Sequence, residues 1–500
     1  MPVLDNLNVR AVTVVATVSV SAYFIYRKIV EPLHYFEQIG IPGPTPVAFL
    51  GNLPDLEEGI HLAHVALKEK YGKVFGLIIG RKPQIVVCDV NILQKILIEN
   101  FNGFCNRRGF QLLPYDNLKY GVNTLRDREW RRVRSILMPA FTLESCEELA
   151  PIIAKSCNIL LIKFLQASYT EQALNISSAM NQFATEITMV TLFGQPGKLQ
   201  TSVNVRPDKL TIAINSIFRV PPMTSLLILA IPPLSSYLLK INSTGFRYLE
   251  SVCYRAIRRK RERIAEKMEC QRDLLQLMLE ADRNGKLNDT DIASQSLTYL
   301  LTSYHPLKNG LCFLVYLIAT HKEVQNRLIR EIDENLPNRE LPTQKEISKL
   351  VYLDAVIKET LRLYPATFIY HREAVEDCSI NGFFFPKEVT IAIPVYAIHR
   401  DPEIWPNPSS FRPERFLSDD ANSARHPCSY LPFGVGARAC MATHFVTMIF
   451  KMMLVITLRS IKFKTVAETE VPLSTTSLAS LQPMYDVYLG IERRVYVDSI

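Results

Sequence analysis

The string Pro432-Phe433-Gly434-Val435-Gly436-Ala437-Arg438-Ala439-Cys440, followed at once by an apolar run, constrains this chain more than any other segment. The run predicts a helix starting near Met441, which places Cys440 at a helix N-terminus. Unpaired amides and the helix dipole favour a thiolate there. Gly434 and Gly436 let the backbone pass close to a flat group, because glycine has no Cβ and accepts left-handed angles. Arg438 offers a fork of donors to a carboxylate, and Phe433 can pack beside the sulfur. A cysteine without such neighbours would read as a small buried hydrophobe. This one reads as a thiolate donor to haem iron, with Arg438 placed for a haem propionate.

The remaining sequence is that of a large folded protein. Its 500 residues would suggest about three domains by length alone, and a hydrophobic fraction of 48% rules out a disordered or fibrous chain. With 30 Pro and 19 Gly there is no collagen-like or low-complexity pattern. The excess of 57 basic over 49 acidic residues, net +8, is diffuse. It fits an acidic membrane surface or acidic protein better than nucleic acid, and no nucleic-acid partner is expected. The ten cysteines include no C-x-x-C pair, and no histidine cluster completes a zinc site. Reduced thiols facing the cytosol are the default.

The N-terminus carries a membrane signal. Ala11 to Tyr26 has no charge and is followed by Arg27 and Lys28. The run is shorter than the roughly 20 residues of a full span, but no small-residue cleavage site marks it for removal. The basic pair holds the following chain on the cytosolic side. Ile41-Pro42-Gly43-Pro44-Thr45-Pro46 cannot be helix or central strand and reads as a stiff stalk. The expected division is an anchor over 1–28, a Pro-rich stalk over 29–50 and one catalytic body over 51–500.

Within the body, Val74 to Ile79 and Gln84 to Cys88 alternate as an early strand pair. Helical periodicity follows over Glu144 to Ser168, Phe246 to Lys267, Arg272 to Asp282, Gln295 to Ala319 and Lys345 to Leu363. Strand signals return at Thr390 to Pro394 and Met484 to Gly490. The expected fold class is mainly α with small β-sheets. Val220 to Leu234 is apolar but broken by two proline pairs, so it reads either as a membrane-surface contact or as core packing. Arg258-Arg259-Lys260-Arg261 reads first as a solvated helix face, and second as a contact for anionic headgroups or an acidic protein.

The sequence resembles the haem-thiolate cytochromes of the P-450 superfamily. Their signature F-x-x-G-x-R-x-C-x-[GA] is met by Phe433, Gly436, Arg438, Cys440 and Ala442. Lys358-Glu359-Thr360-Leu361-Arg362 contains the family's E-x-x-R, with Glu359 and Arg362 on one helix face. Phe411-Arg412-Pro413-Glu414-Arg415-Phe416 matches F-x-P-x-R-F, whose Arg415 joins that ion-pair cluster in relatives. Trp130-Arg131-Arg132-Val133-Arg134 matches W-x-x-x-R. Each piece alone is weak, and their joint order carries the resemblance. Asn106-Arg107-Arg108, Tyr352-Leu353-Asp354, Ile380-Asn381-Gly382 and His399-Arg400-Asp401-Pro402 bring it closest to the branch with the drug-metabolising 3A group and thromboxane synthase.

The resemblance implies the family's mainly α triangular prism with an N-terminal membrane anchor. It implies haem b (iron protoporphyrin IX) with Cys440 as iron ligand. Arg107, Trp130, Arg134, Arg372 and Arg438 then become haem contacts, with Phe433 and Gly436 in the loop. Ala366 to Tyr370, Ser477 to Leu481 and residues near Gln111 to Tyr120 would line the substrate cavity. Expected partners are NADPH-cytochrome P-450 reductase, docked mainly on the cysteine side, cytochrome b5 as an optional second donor, membrane lipid and a lipophilic small-molecule substrate. The expected location is the endoplasmic reticulum membrane, with a single anchor and a cytosolic catalytic domain.

One departure stands out. The family's central helix carries A-G-x-[DE]-T-T, whose acid and alcohol deliver protons for O–O cleavage. The matching stretch here is Thr302-Ser303-Tyr304-His305-Pro306-Leu307. Pro306 removes a backbone hydrogen bond and kinks the helix. His305 is a candidate proton shuttle near neutral pH, and Thr302 or Ser303 a candidate water holder. Three readings follow. The first is a monooxygenase of a steroid, fatty acid or xenobiotic. The second is a thromboxane-synthase-like isomerase or dehydratase, whose peroxide substrate brings its own O–O bond. The third is a catalytically silent haem protein, which the intact cysteine loop disfavours.

Overall fold

The computed structural model describes residues 31–107, 116–170, 172–194, 209–218, 244–268, 273–337, 342–417, 425–477 and 480–494, with scattered positions before residue 31. Its long helices are α1 (Ile60–Tyr71), α2 (Asp127–Leu137), α3 (Leu143–Thr170), α4 (Ile176–Phe193), α5 (Lys209–Phe218), α6 (Thr244–Ala265), α7 (Leu274–Arg283), α8 (Asp289–Thr320), α9 (Lys322–Asn335), α10 (Val351–Leu363) and α11 (Thr443–Leu458). Its strands are β1 (Val74–Ile79), β2 (Lys82–Val87), β3 (Leu174–Asn175), β4 (Tyr370–Glu373), β5 (Cys378–Ile380), β6 (Phe383–Phe385), β7 (Thr390–Ile393), β8 (Ile461–Lys464), β9 (Thr475–Ser477), β10 (Leu481–Pro483) and β11 (Tyr488–Arg493). The mainly α class with small sheets is what the periodicities predict.

The helix ends follow local chemistry. At the head of α8 the Asn288 side chain accepts from the Asp291 amide while Asp291 reaches back to the Asn288 amide. This reciprocal cap starts the helix six residues before the expected Gln295. From Ile292 to Ala319 nearly every side chain is buried, as befits a helix at the centre of a domain. The helix continues through Pro306 to Thr320. The expected helix over Lys345 to Leu363 is instead two, Gln344–Ser348 and α10. The Glu331 carboxylate on α9 accepts from the Tyr352 amide at 2.6 Å and from the Leu353 amide at 2.8 Å. A carboxylate from another helix thus satisfies the orphan donors of a new helix start.

The main hydrophobic core joins α3, α4, α8 and α11 through side chains such as Phe164, Phe183, Leu314 and Phe450. A second core lies against a four-stranded sheet of order β1-β2-β7-β4. β1 and β2 form the expected hairpin, with Val74 opposite Val87. β7 runs parallel to β2, with Gln84 opposite Thr390, and β4 closes the sheet antiparallel to β7. Of the C-terminal strand signal at Met484 to Gly490, the last three residues fall on β11, and β10 ends one residue before the signal starts.

The proline segment after residue 41 is laid against this sheet. The Pro42 carbonyl accepts from the Gly76 amide at 2.8 Å, and Gly51 bridges Ile79. Phe36 and Ile41 are buried in the sheet's core. Seven of the sixteen residues of Ala11 to Tyr26, and all of Val220 to Leu234, lie outside the described residues. No described helix is long and apolar enough to cross a membrane.

Candidate functional site

The cysteine loop is a set of tight turns fastened from three sides. Cys440 donates its amide to the Phe433 carbonyl at 2.8 Å, and Gly434 to that of Leu431 at 3.1 Å. Gly434 and Gly436 take φ of +71° and +74°. A Cβ on Gly436 would run into the Leu97 carbonyl, so only glycine fits there. Tyr370 on β4 donates its hydroxyl to the Pro432 carbonyl at 3.0 Å. His399 accepts from the Leu431 amide through Nε2 at 2.8 Å. Its Nδ1 therefore carries the proton and donates to the Arg362 carbonyl at 3.1 Å. Burial, with Arg362 beside it, lowers His399 to about 3 and keeps it neutral.

Cys440 is the one exposed thiol among the described cysteines. α11 starts at Thr443, two residues later than expected, and the Ala442 amide is directed at the Cys440 sulfur. The sulfur opens onto space beside the loop yet sits deep in the protein. Burial consequently pushes the thiol up, against the pull of the Ala442 amide, Arg107 and Arg134. The thiolate expected from the helix terminus alone is thus outweighed by desolvation, and metal binding would have to release the proton.

Four guanidiniums gather around the loop. Asn106 bridges Glu373, which sets Arg107 beside Arg372 on β4. The Asn106 side chain also exchanges two hydrogen bonds with Asp127, at 2.9 and 3.0 Å, which fixes the head of α2. α2 carries Trp130 and Arg134 one turn apart. Arg134 donates to the Ala439 carbonyl at 2.9 Å, and Arg107 to the Arg438 carbonyl at 2.9 Å. Arg438 stacks 3.9 Å from the centre of the buried Trp130 ring. It donates to the carbonyls of Cys105, Val122 and Leu125 at 2.9, 3.2 and 2.8 Å. Arg372 donates to the His371 carbonyl at 2.9 Å.

Every hydrogen-bond acceptor of these four side chains is neutral among the described residues. The Nε atoms of Arg107 and Arg372 are buried with no partner. Burial pulls Arg107 down, burial and the neighbouring arginines pull Arg372 well down, and Arg438 falls to about 9 for the same two reasons. Buried cations left in this state call for anions. Two carboxylates and a thiolate would supply them, so the residues present fit haem b. Phe433 is half-buried and packs on the main core.

A buried ion-pair cluster stands behind the loop. Arg362 grips Glu359 with two hydrogen bonds of 2.7 and 2.8 Å, and Arg415 reaches Glu359 at 3.2 Å. Arg362 also donates to the His399 carbonyl at 2.7 Å, so one histidine links this cluster to the loop. His399 and Tyr370 are the two functional positions that sequence reasoning missed. Both lay inside segments read only for resemblance or cavity lining.

On α8, Thr302 and Pro306 are half-buried and four residues apart, hence on one face. Thr302 donates its hydroxyl to the Thr298 carbonyl at 2.7 Å, and Ser303 to the Tyr299 carbonyl at 2.7 Å. Ser303 also lies 3.4 Å from the Thr188 hydroxyl on α4. His305 is buried, edge-on to Tyr304 at 4.9 Å between ring centres. Burial, and secondarily Lys308, lower it to about 3. Titration of His305 near neutral pH, expected from its type alone, is corrected by this burial. Of the expected cavity lining, Leu481 joins the Ala366 carbonyl through its amide at 3.1 Å, and 111–115 lie outside the described residues.

The basic run on α6 is also partly internal. Lys260 is buried against Asp273 at 2.6 Å, while Arg258 pairs with Glu262 at 2.9 Å and Arg261 with Asp282 at 2.7 Å.

A family model described as Cytochrome P450 matches residues 41–489. Cytochrome P450 3A12 of Canis lupus familiaris is 32% identical over 476 residues, covering 92% of each chain. Cytochrome P450 3A5 of Homo sapiens is 31% identical over 505 residues, covering 99% of each. Similarity of this extent reaches far beyond the cysteine loop into both cores, and the chain belongs to the cytochrome P450 family, whose members bind haem b through a cysteine thiolate.

Proposed function

We propose that this P450 is a monooxygenase of a lipophilic substrate, a steroid, fatty acid or xenobiotic, using O₂ and electrons from an NADPH-dependent reductase. The observation that carries it is the exposed Cys440 sulfur among Arg107, Arg134, Arg372 and Arg438. When bound, haem supplies oxygen activation, and thiolate donation favours O–O cleavage. Cys440 would hold the iron through its sulfur, with the Ala442 amide steadying the sulfur's charge. Arg107, Arg134 and Arg372 would pair with the cofactor's carboxylates, and Trp130 with Arg438 would wall that edge from water. Ala11 to Tyr26 anchors the chain to the endoplasmic reticulum membrane, with the body over 51–500 in the cytosol.

A second reading is favoured by α8. His305 and Pro306 replace the acid and alcohol, and His305 is neutral and buried. An isomerase or dehydratase acting on a lipid endoperoxide or hydroperoxide needs no such pair. The experiment compares turnover with NADPH and reductase against turnover with lipid hydroperoxide alone. Oxygenated product that depends on NADPH supports the monooxygenase. Conversion of the peroxide with no NADPH requirement selects the isomerase.

A further inference from the structure

A closed ring of four residues ties together the segments that carry the arginines of the cysteine site. Asn106 and Glu373 pair through their backbones, and the Glu373 amide donates to the Asn106 carbonyl at 3.0 Å. The Asn106 side chain and Asp127 bond in both directions, at 2.9 and 3.0 Å. Arg126, the residue before Asp127, closes the ring. Both ends of its fork donate to the Glu373 carboxylate, at 2.6 and 3.1 Å.

Each member is a neighbour in sequence of the candidate haem contacts. Asn106 precedes Arg107, and Glu373 follows Arg372 on β4. Arg126 and Asp127 open α2, which carries Trp130 and Arg134. Successive residues of extended chain point to opposite faces. Asn106 and Glu373, paired across the bridge, therefore share one face, and Arg107 and Arg372 share the other. The ring stands behind the wall from which the buried guanidiniums project.

Two features mark the ring as more than a chance surface contact. Asp127 has φ of +46°. A left-handed angle at a residue with a Cβ costs energy and persists only where the surroundings impose it. Here the paired Asn106 bonds hold it at the point where the chain enters α2. The ion pair is also two-pronged, and the Glu373 side chain is only 14% exposed against 49% for Arg126. Most surface pairs contribute little, but forked geometry with a sheltered carboxylate is the exception. Hydrogen bonding to Glu373 holds the Arg126 cation above its ordinary range, against burial.

We propose that Arg126 and Glu373 are positioning residues for the cofactor. Their ion pair holds α2 against β4, so that Arg134, Arg107 and Arg372 together meet the haem carboxylates, and it thereby slows haem loss. The inference rests on the carboxylate contacts proposed for those three arginines and is independent of the reaction class.

The test is haem transfer from the purified ferric holoprotein to excess apomyoglobin, followed by the absorption of the myoglobin formed. Arg126→Gln and Glu373→Gln should each lose haem about three- to fivefold faster than the parent. The double variant should be no faster than either single one, because the pair acts as a unit. Added salt should speed loss from the parent and leave Arg126→Gln unchanged. Arg126→Lys, which keeps the charge without the fork, should fall between. All should keep the thiolate-type carbon monoxide spectrum, since Cys440 is untouched. Parent-like loss in both single variants overturns the proposal, as do additive effects in the double variant. If Glu373→Gln fails to accumulate, the salt response and the order parent, Arg126→Lys, Arg126→Gln decide. Arg107→Gln tests the carboxylate contacts separately. Unchanged loss there rejects those contacts and the proposal with them, whereas faster loss there with parent-like Arg126→Gln rejects the ring alone.

Discussion

Cys440 differs from the other described cysteines in environment more than in chemistry. Cys157 and Cys253 are sealed in the main core, where burial pushes their thiols far up, with Glu250 adding to the push at Cys253. Cys440 is also pushed up by burial, but an amide and two guanidiniums oppose that push. This is the setting of a metal ligand, whose proton leaves when the metal arrives. Cys440→Ser should therefore lose the thiolate-type red shift of the reduced carbon monoxide complex. A mutant that keeps the parent's absorption would show that the sulfur is not the axial ligand. Glu359 plays a different part. It holds Arg362 and Arg415 with no exposure of its own. Removing one partner of such a buried set costs about 3–5 kcal/mol. Glu359→Ala should leave little or no holoprotein, measured as haem per polypeptide. Normal haem content with slowed chemistry would instead place Glu359 in the reaction.

Among the elements, α8 carries the chain's main departure from its relatives' pattern. Its half-buried pair is Thr302 and Pro306, while His305 is buried. With His305 and Pro306 in place of the family's acid and alcohol, proton delivery is expected to be poorly organised. Ordered general acid catalysis is worth roughly 10²–10⁴-fold in rate. NADPH-driven turnover by the parent should then be weakly coupled, with reduced oxygen lost as hydrogen peroxide. Combining His305→Glu with Pro306→Thr should raise the product formed per NADPH consumed. A tightly coupled parent would show that Thr302, Ser303 or ordered water already delivers the protons. The isomerase reading would then lose its main support.

Over the whole molecule, four histidines sit buried and neutral. His61 is lowered to about 4, and His64, His305 and His399 to about 3, chiefly by burial. Their folded values lie below the unfolded one near 6.5, so the unfolded chain binds protons first as pH falls. The stability they contribute is complete above about pH 6.5 and is lost progressively down to about pH 3. At pH 5 the loss is about 2 kcal/mol for each histidine. Chemical denaturation at pH 7 and pH 5 should show this decline, and His64→Phe should flatten its slope. An unchanged slope would mean that His64 titrates normally in the fold. Topology is testable at the same scale. With the anchor at Ala11 to Tyr26 and Arg27 and Lys28 behind it, protease added to intact microsomes should digest the body. Full protection would put the body in the lumen.

The haem loop, the order of the family strings, the long helices and the first hairpin were legible along the chain, because each is written in residues a few positions apart. Gly436 was recognisable as a close approach, though only the fold names the Leu97 carbonyl as the atom approached. The four arginines were nameable by resemblance. That Arg107 stands beside Arg372 follows from Asn106 bridging Glu373 on β4, and among the described residues the four donate only to neutral acceptors. The break before α10 depends on a carboxylate from α9, and the strut from the ion-pair cluster to the cysteine loop is one histidine ring. His305 looked like a proton carrier by type and became a buried neutral ring by position. The sequence alone determined which groups are present and which neighbours share a face. Tertiary structure decided their burial and their partners, because desolvation and long-range contacts depend on residues hundreds of positions away.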